Sequence, residues 1–220
     1  MTDGPALQKL FTWLSPAFPV GAFAWSAGLE TAIAERRVTN SAGLRNWLEG
    51  ALVHGGTRID AILLAHAHRR HGDAAQLTDL ADLCLALTPS AERHSEVTTT
   101  GQAFILAARA WPSGNSGQLP DPCPYPIAVG AIAASHGIGL DETLLGYVTA
   151  AVHSQISVAV RLVPLGQTDG LTVMAKLEGQ IAALARAAAT SGLDAIGSIA
   201  YAADIAQMRH ETLEPRIFRS

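Results

Sequence analysis

Between Asp121 and Arg161 the chain carries only two charged residues, Asp141 and Glu142. So long a stretch with so little charge must lie in lipid or be wrapped by the rest of the protein. A membrane span needs about 20 predominantly apolar residues, and neither half supplies them. Residues 122–140 contain Pro122, Pro124, Pro126, His136 and three glycines; residues 143–160 contain His153, Ser154, Gln155 and Ser157. Both halves are read as buried core helices, and the remaining residues have to fold around them.

The rest of the sequence is suited to that task. Of 220 residues, 40 are alanine, the best helix former. Apolar residues recur at i, i+3, i+4, while period-2 alternation is nearly absent. The expected fold is all-α, a single-domain helical bundle of about nine to ten helices spanning 1–220. Helices are expected over residues 6–14, 26–36, 41–54 (capped from Thr39 or Ser41), 57–71, 74–87, 89–110, 127–136, 141–163, 168–190 and 195–210. Thr88 is read as a cap with Pro89 at the first helical position. Residues 15–21 form a stiff apolar connector, 112–126 a proline-rich surface loop, and 211–220 a tail. The aliphatic face of 195–206 is assigned to the core.

Several function classes fall away. The net charge is −4 and the fifteen basic residues form no run, whereas nucleic-acid binders need a basic footprint. The only lysines, Lys9 and Lys176, follow Gln8 and Ala175, so no P-loop exists. Gly137-Ile138-Gly139 lacks both the third glycine and the preceding strand of a dinucleotide loop. His210-Glu211 is not followed by the second histidine of HExxH. Gly114-Asn115-Ser116-Gly117-Gln118 does not have the spacing of a nucleophile elbow. No catalytic residue and no cofactor are expected. Cys84 and Cys123 form no CxxC pair and suit a reducing cytosol. The opening Met-Thr-Asp-Gly-Pro has no signal-peptide pattern, so a cytoplasmic location is expected. His66, His68 and His71 make an HxHxxH stretch. Helical steps put His68 and His71 near one face and His66 on the far side. That offers two metal ligands where three or four are usual, and an all-α nickel-binding carrier is the alternative function it suggests.

The apolar connector and the arginine-rich tail are more distinctive. Phe18, Phe23 and Trp25 crowd the connector, and the tail alternates Arg216, Phe218 and Arg219. Arginine and aromatic residues are the usual anchors of protein interfaces. A tail of this kind is expected to be loose alone and ordered by a partner.

Four segments carry a family resemblance. They are Trp13-Leu14-Ser15-Pro16-Ala17-Phe18-Pro19-Val20-Gly21-Ala22-Phe23 running on to Gly28-Leu29-Glu30; Ala134-Ser135-His136-Gly137-Ile138; Val163-Pro164-Leu165-Gly166-Gln167-Thr168-Asp169-Gly170; and Met208-Arg209-His210-Glu211-Thr212 with Arg216-Ile217-Phe218-Arg219-Ser220. In order along the whole chain, they resemble the UreF family of urease accessory proteins. The resemblance implies an all-helical homodimer that is not an enzyme. It would join UreD (also called UreH) and the GTPase UreG, regulate that GTPase, and help deliver nickel to apo-urease. Carried over by position, the partner-binding residues are Pro16, Phe18, Pro19, Phe23, Glu30, Arg209, His210, Glu211, Arg216, Phe218 and Arg219. Arg216 matches the arginine that holds the family's tail against UreD. Four positions depart from the family pattern. Phe23 lacks a tyrosine hydroxyl, Ala27 replaces a histidine, Leu171 replaces a glutamine, and Pro215 favours an extended tail.

Overall fold

The structure is a computed structural model and describes residues 3–112 and 118–220. Part of the surface loop expected at 112–126, residues 113–117, lies outside the described residues. Among the described residues the fold is all-α, without strands: α1 (Gly4–Trp13), α2 (Leu29–Ala34), α3 (Ser41–His54), α4 (Gly56–Arg69), α5 (Ala74–Ala86), α6 (Ala91–Ala108), α7 (Tyr125–Ser135), α8 (Leu140–Leu162), α9 (Gln167–Ala188) and α10 (Tyr201–His210). Two short 3₁₀ turns, Ala22–Ala24 and Leu193–Ala195, complete the list.

The centre of the bundle is α7. Its residues Pro126 to Ala133 are all buried, as expected of a helix that is apolar all round. Helix α4 lies against it and is likewise buried without interruption from Ala61 to Ala67. The two approach closely because Gly130 has no side chain. A Cβ there would stand 2.5 Å from the carbonyl oxygen of Leu64 and 3.1 Å from the amide of His68. Helix α8 is long and apolar enough to cross a membrane by length and composition, yet 44% of its most apolar window is buried. It packs on α9, α4 and α2. Polar side chains cross-link the bundle where three helices meet. Asp60 of α4 accepts hydrogen bonds from Arg93 of α6 at 2.5 Å and from the Tyr147 hydroxyl of α8 at 3.1 Å, and Arg93 also pairs with Glu96 at 2.8 Å.

Helix starts follow side-chain chemistry. Asp3, Asn40 and Asp73 each accept the amide proton three residues on, which satisfies a donor left free at a helix end. The cap of α3 is Asn40, not Thr39 or Ser41 as expected, and three helix boundaries differ further. Thr88 does not cap α6; its hydroxyl donates to the Leu85 carbonyl at 2.7 Å and closes α5, while Ser90 accepts from Arg93 and starts α6. The segment expected at 26–36 is helical only over Leu29–Ala34, because Ala27 and Gly28 both have positive φ, 49° and 79°. The last helix begins at Tyr201 rather than 195. Upstream, Ile199 donates its amide to His54 at 3.2 Å and Ser198 accepts from the Ala200 amide at 3.1 Å, holding that stretch off the helix. The core assignment of 195–206 holds only in part: Ala206 is buried and Ala195 and Ile196 pack against the core, while Ile199, Tyr201 and Ile205 are exposed.

The packing at Gly130 gives a direct test. Gly130→Ala forces backbone apart in the core and is expected to lower stability by about 1–3 kcal/mol. Gly50→Ala, in a helix with nothing within 4 Å of the new methyl, is expected to raise it by about 0.5–1 kcal/mol. Urea unfolding followed by circular dichroism measures both.

Candidate functional site

The residues that sequence reasoning singled out converge around one buried carboxylate. Positive φ at Ala27 and Gly28 turns the chain sharply into α2, where Glu30 lies in the first turn and is 5% exposed. Gly28 is required here, because a Cβ would stand 2.8 Å from the amide nitrogen of Gln207 in α10. With α10 that close, His210 reaches Glu30. The Glu30 carboxylate accepts three hydrogen bonds: from His210 Nε2 at 2.9 Å, from the Ile217 amide at 2.7 Å and from the Phe218 amide at 2.9 Å.

His210 is fully buried and its other nitrogen, Nδ1, lies 2.7 Å from Glu92 in the first turn of α6. Two ionised carboxylates on opposite ring nitrogens are both satisfied when the imidazole carries a proton on each. Arg216 donates to the second oxygen of Glu92. Glu30 and Glu92 thus share the His210 ring, and Glu92 is paired with Arg216 as well. Buried ions need this kind of pairing, since an unpaired one is costly to desolvate.

The segment 211–220 is thus a strap held by its own chain. Phe218 is buried in the main core cluster. The Ser220 carbonyl accepts from the Ser26 amide at 2.6 Å and from the Ser26 hydroxyl. Arg219 donates its amide to Ala24 at 2.8 Å, and Glu211 accepts from the Ala91 amide at 2.9 Å. The expectation of a loose tail is corrected: enough donors and acceptors lie within the chain to order it. Arg209 pairs with Glu35 at 2.9 Å at the edge of the same region.

Phe23, Glu30, Arg209, His210, Glu211, Arg216, Phe218 and Arg219 are therefore gathered here. The connector residues Pro16, Phe18 and Pro19 are not. Phe18 turns inward against Phe104 and Trp111, with ring centroids 5.7 and 6.3 Å away. Phe104 is twelve residues from Glu92 on α6, about 18 Å along the helix. Pro16 and Pro19 are exposed beside Phe18.

Sequence reading missed Ser26, Glu92 and Arg161. Glu92 had a faint signal, an acid two residues after a capping serine. Arg161 had none, because only the fold brings it to Phe23, whose carbonyl it contacts at 3.3 Å. Of the departures from the family pattern, Phe23 and Leu171 are each 65% exposed, and Ala27 donates its amide to the Ser220 hydroxyl at 3.2 Å.

The histidine stretch disperses, His66 and His68 in the last turn of α4 and His71 beyond its end. His66 Nε2 lies 3.0 Å from the Ser191 carbonyl, His68 Nε2 2.8 Å from the Ile138 carbonyl, and His71 Nδ1 3.1 Å from the His68 carbonyl. Among the described residues no three His, Cys, Asp or Glu side chains gather to hold a metal. Cys84 and Cys123 are free and buried, and burial pushes the Cys123 thiol up to about 12.

A family model described as UreF matches residues 38–178. The urease accessory protein UreF of Rhizobium etli (strain CFN 42) is 49% identical over 215 residues, covering 98% of this chain and 96% of that protein. The protein of the same name from Agrobacterium fabrum is 48% identical with the same coverage. That from Rhodopseudomonas palustris (strain TIE-1) is 47% identical over 223 residues, covering 98% and 92%.

Two outcomes are expected. Glu30→Gln removes the carboxylate shared by His210, Ile217 and Phe218 while His210 keeps Glu92, and is expected to cost about 1–3 kcal/mol. Amide exchange should show protection lost at Ile217 and Phe218. Burial also pulls His66 and His68 below the ordinary imidazole value of 6.5. Below that value the unfolded chain takes up protons the folded one refuses, so their contribution to stability is lost as pH falls through 6.5. The drop in unfolding free energy between pH 7.5 and 5.5 should therefore be smaller in His68→Gln than in the parent.

Proposed function

Because the chain belongs to the UreF family of urease accessory proteins, we propose that it is a non-enzymatic scaffold for nickel insertion into apo-urease. In this reading it docks on UreD (UreH) through the strap and the neighbouring 3₁₀ turn. As a cytoplasmic homodimer it then offers a two-fold surface to the GTPase UreG, matching symmetry to symmetry. Nickel is cargo of the assembly, released when UreG hydrolyses GTP, and the hydrolysis is charged to UreG, since neither lysine of this chain sits in a P-loop.

The observation that carries the docking surface is the way the strap is built. Its inner side is fixed by Glu30, His210 and Phe218, while Phe23, Ile217 and Arg219 remain exposed on the outside. Exposed aromatic and arginine side chains on an ordered backbone are what an interface hot spot requires. Pinning the strap in advance also spares a partner the entropy of ordering it.

Co-purification of the chain with co-expressed UreD and UreG, read by native mass spectrometry, tests the scaffold role. A stoichiometric complex is expected. Arg216→Ala, which frees the strap from Glu92, is expected to weaken UreD binding by about 2 kcal/mol or more; unchanged affinity refutes the role of the strap. Deleting 211–220 removes Phe218 from the core and leaves Glu30 facing only His210, so the truncated chain is expected to lose thermal stability as well as the complex.

A further inference from the structure

Two exposed arginines that the sequence alone does not associate lie beside the strap and within it. Arg161 comes from α8. Its guanidinium lies over the buried Phe218 ring with its carbon 5.6 Å from the centroid, and it donates to the Phe23 carbonyl and to the Ser157 hydroxyl at 3.2 Å. Arg219 is set the same way, 5.6 Å over the buried Trp25 ring. These are the two cation–π pairs among the described residues. Neither guanidinium lies within ion-pair distance of a carboxylate among those residues, unlike Arg216 and Arg209 on the same side of the molecule. Each is thus held in place by an aromatic face while keeping N–H groups for an outside acceptor. Phe23 and Ile217, 65% and 75% exposed, belong to the same pair of segments.

We propose that Arg161 and Arg219, together with the exposed side chains of Phe23 and Ile217, form a two-guanidinium clamp. The clamp takes a protein segment that carries carboxylates and an apolar residue. The proposal rests on the docking reading above and gives the chemistry of the partner's side. Guanidinium forks fit carboxylates bidentately, and the two apolar side chains ask for apolar contact. A nucleic acid does not fit, because the chain is acidic, with a net charge of −4, and two cations make a small phosphate footprint.

The test measures binding of the full chain to UreD by calorimetry, for the parent, Arg161→Glu, Arg219→Glu and Arg161→Gln. Both arginines are exposed, so urea midpoints of the variants are expected to stay near that of the parent. Each reversal is expected to weaken binding at least 30-fold or so, with Arg161→Gln in between. Parent affinity should fall about tenfold between 0.1 and 0.5 M NaCl. If the parent binds and both reversals bind within twofold of it, the clamp is overturned while the docking reading stands. If the parent itself does not bind, the docking reading fails and the clamp with it. Binding to phosphatidylserine vesicles in place of UreD, lost in the same variants, also overturns the protein-segment assignment.

Discussion

A single buried carboxylate organises one side of the molecule. Glu30 cannot be left without partners in a site that excludes water, and it draws three donors from two segments far away in sequence. Satisfying it fixes the position of α10, the path of residues 217–218 and, through His210, the alignment of α6 at Glu92. The arrangement is self-consistent only as a whole. Remove Glu30 and the His210 ring keeps only Glu92; remove His210 and the two carboxylates lose the ring that joins them. Such clusters are high-stakes, because a half-satisfied one is worse than none.

The centre of the bundle depends on the absence of side chains rather than on charge. Helices α4 and α7 meet through Gly130 and a run of alanines, so two backbones lie nearly in contact. Close-packed interiors of this kind tolerate little added volume. Rigidity there and a polar lock at α2 together give the strap a fixed base. A surface intended for a partner gains from such a base, since less freedom is lost on binding.

The bundle was legible because its signals are local. Charge-free stretches, alanine content and helix-capping residues each act within a few positions, and the helices follow them to within a few residues. Errors came where one residue had two possible roles. Thr88 could start α6 or finish α5, and its hydroxyl closes α5. Isoleucines at 199 and 205 looked like core, but Ile199 is tied to the end of α3 by its amide and its side chain is left outside. Glu30, His210 and Arg216 were singled out only through family resemblance, as partner-binding residues and not as neighbours of one another. Their pairing with Glu92, and the arrival of Arg161, depend on contacts between distant segments, which periodicity does not encode.

The bond between Glu30 and His210 spans 180 residues, and this has a temporal side. On a ribosome adding roughly 5–20 residues per second, about 10–35 s pass between the synthesis of the first partner and the second. Throughout that interval the start of α2 has no partner for its carboxylate, and water must keep it company. The segment around Glu30 is therefore among the last parts of the protein to become dry, although it is among the first to be made. Closing so long a loop is also entropically unfavourable until the bundle between its ends has formed. Loop entropy thus favours the central helices forming before this side shuts, as a seam drawn together once the body is in place.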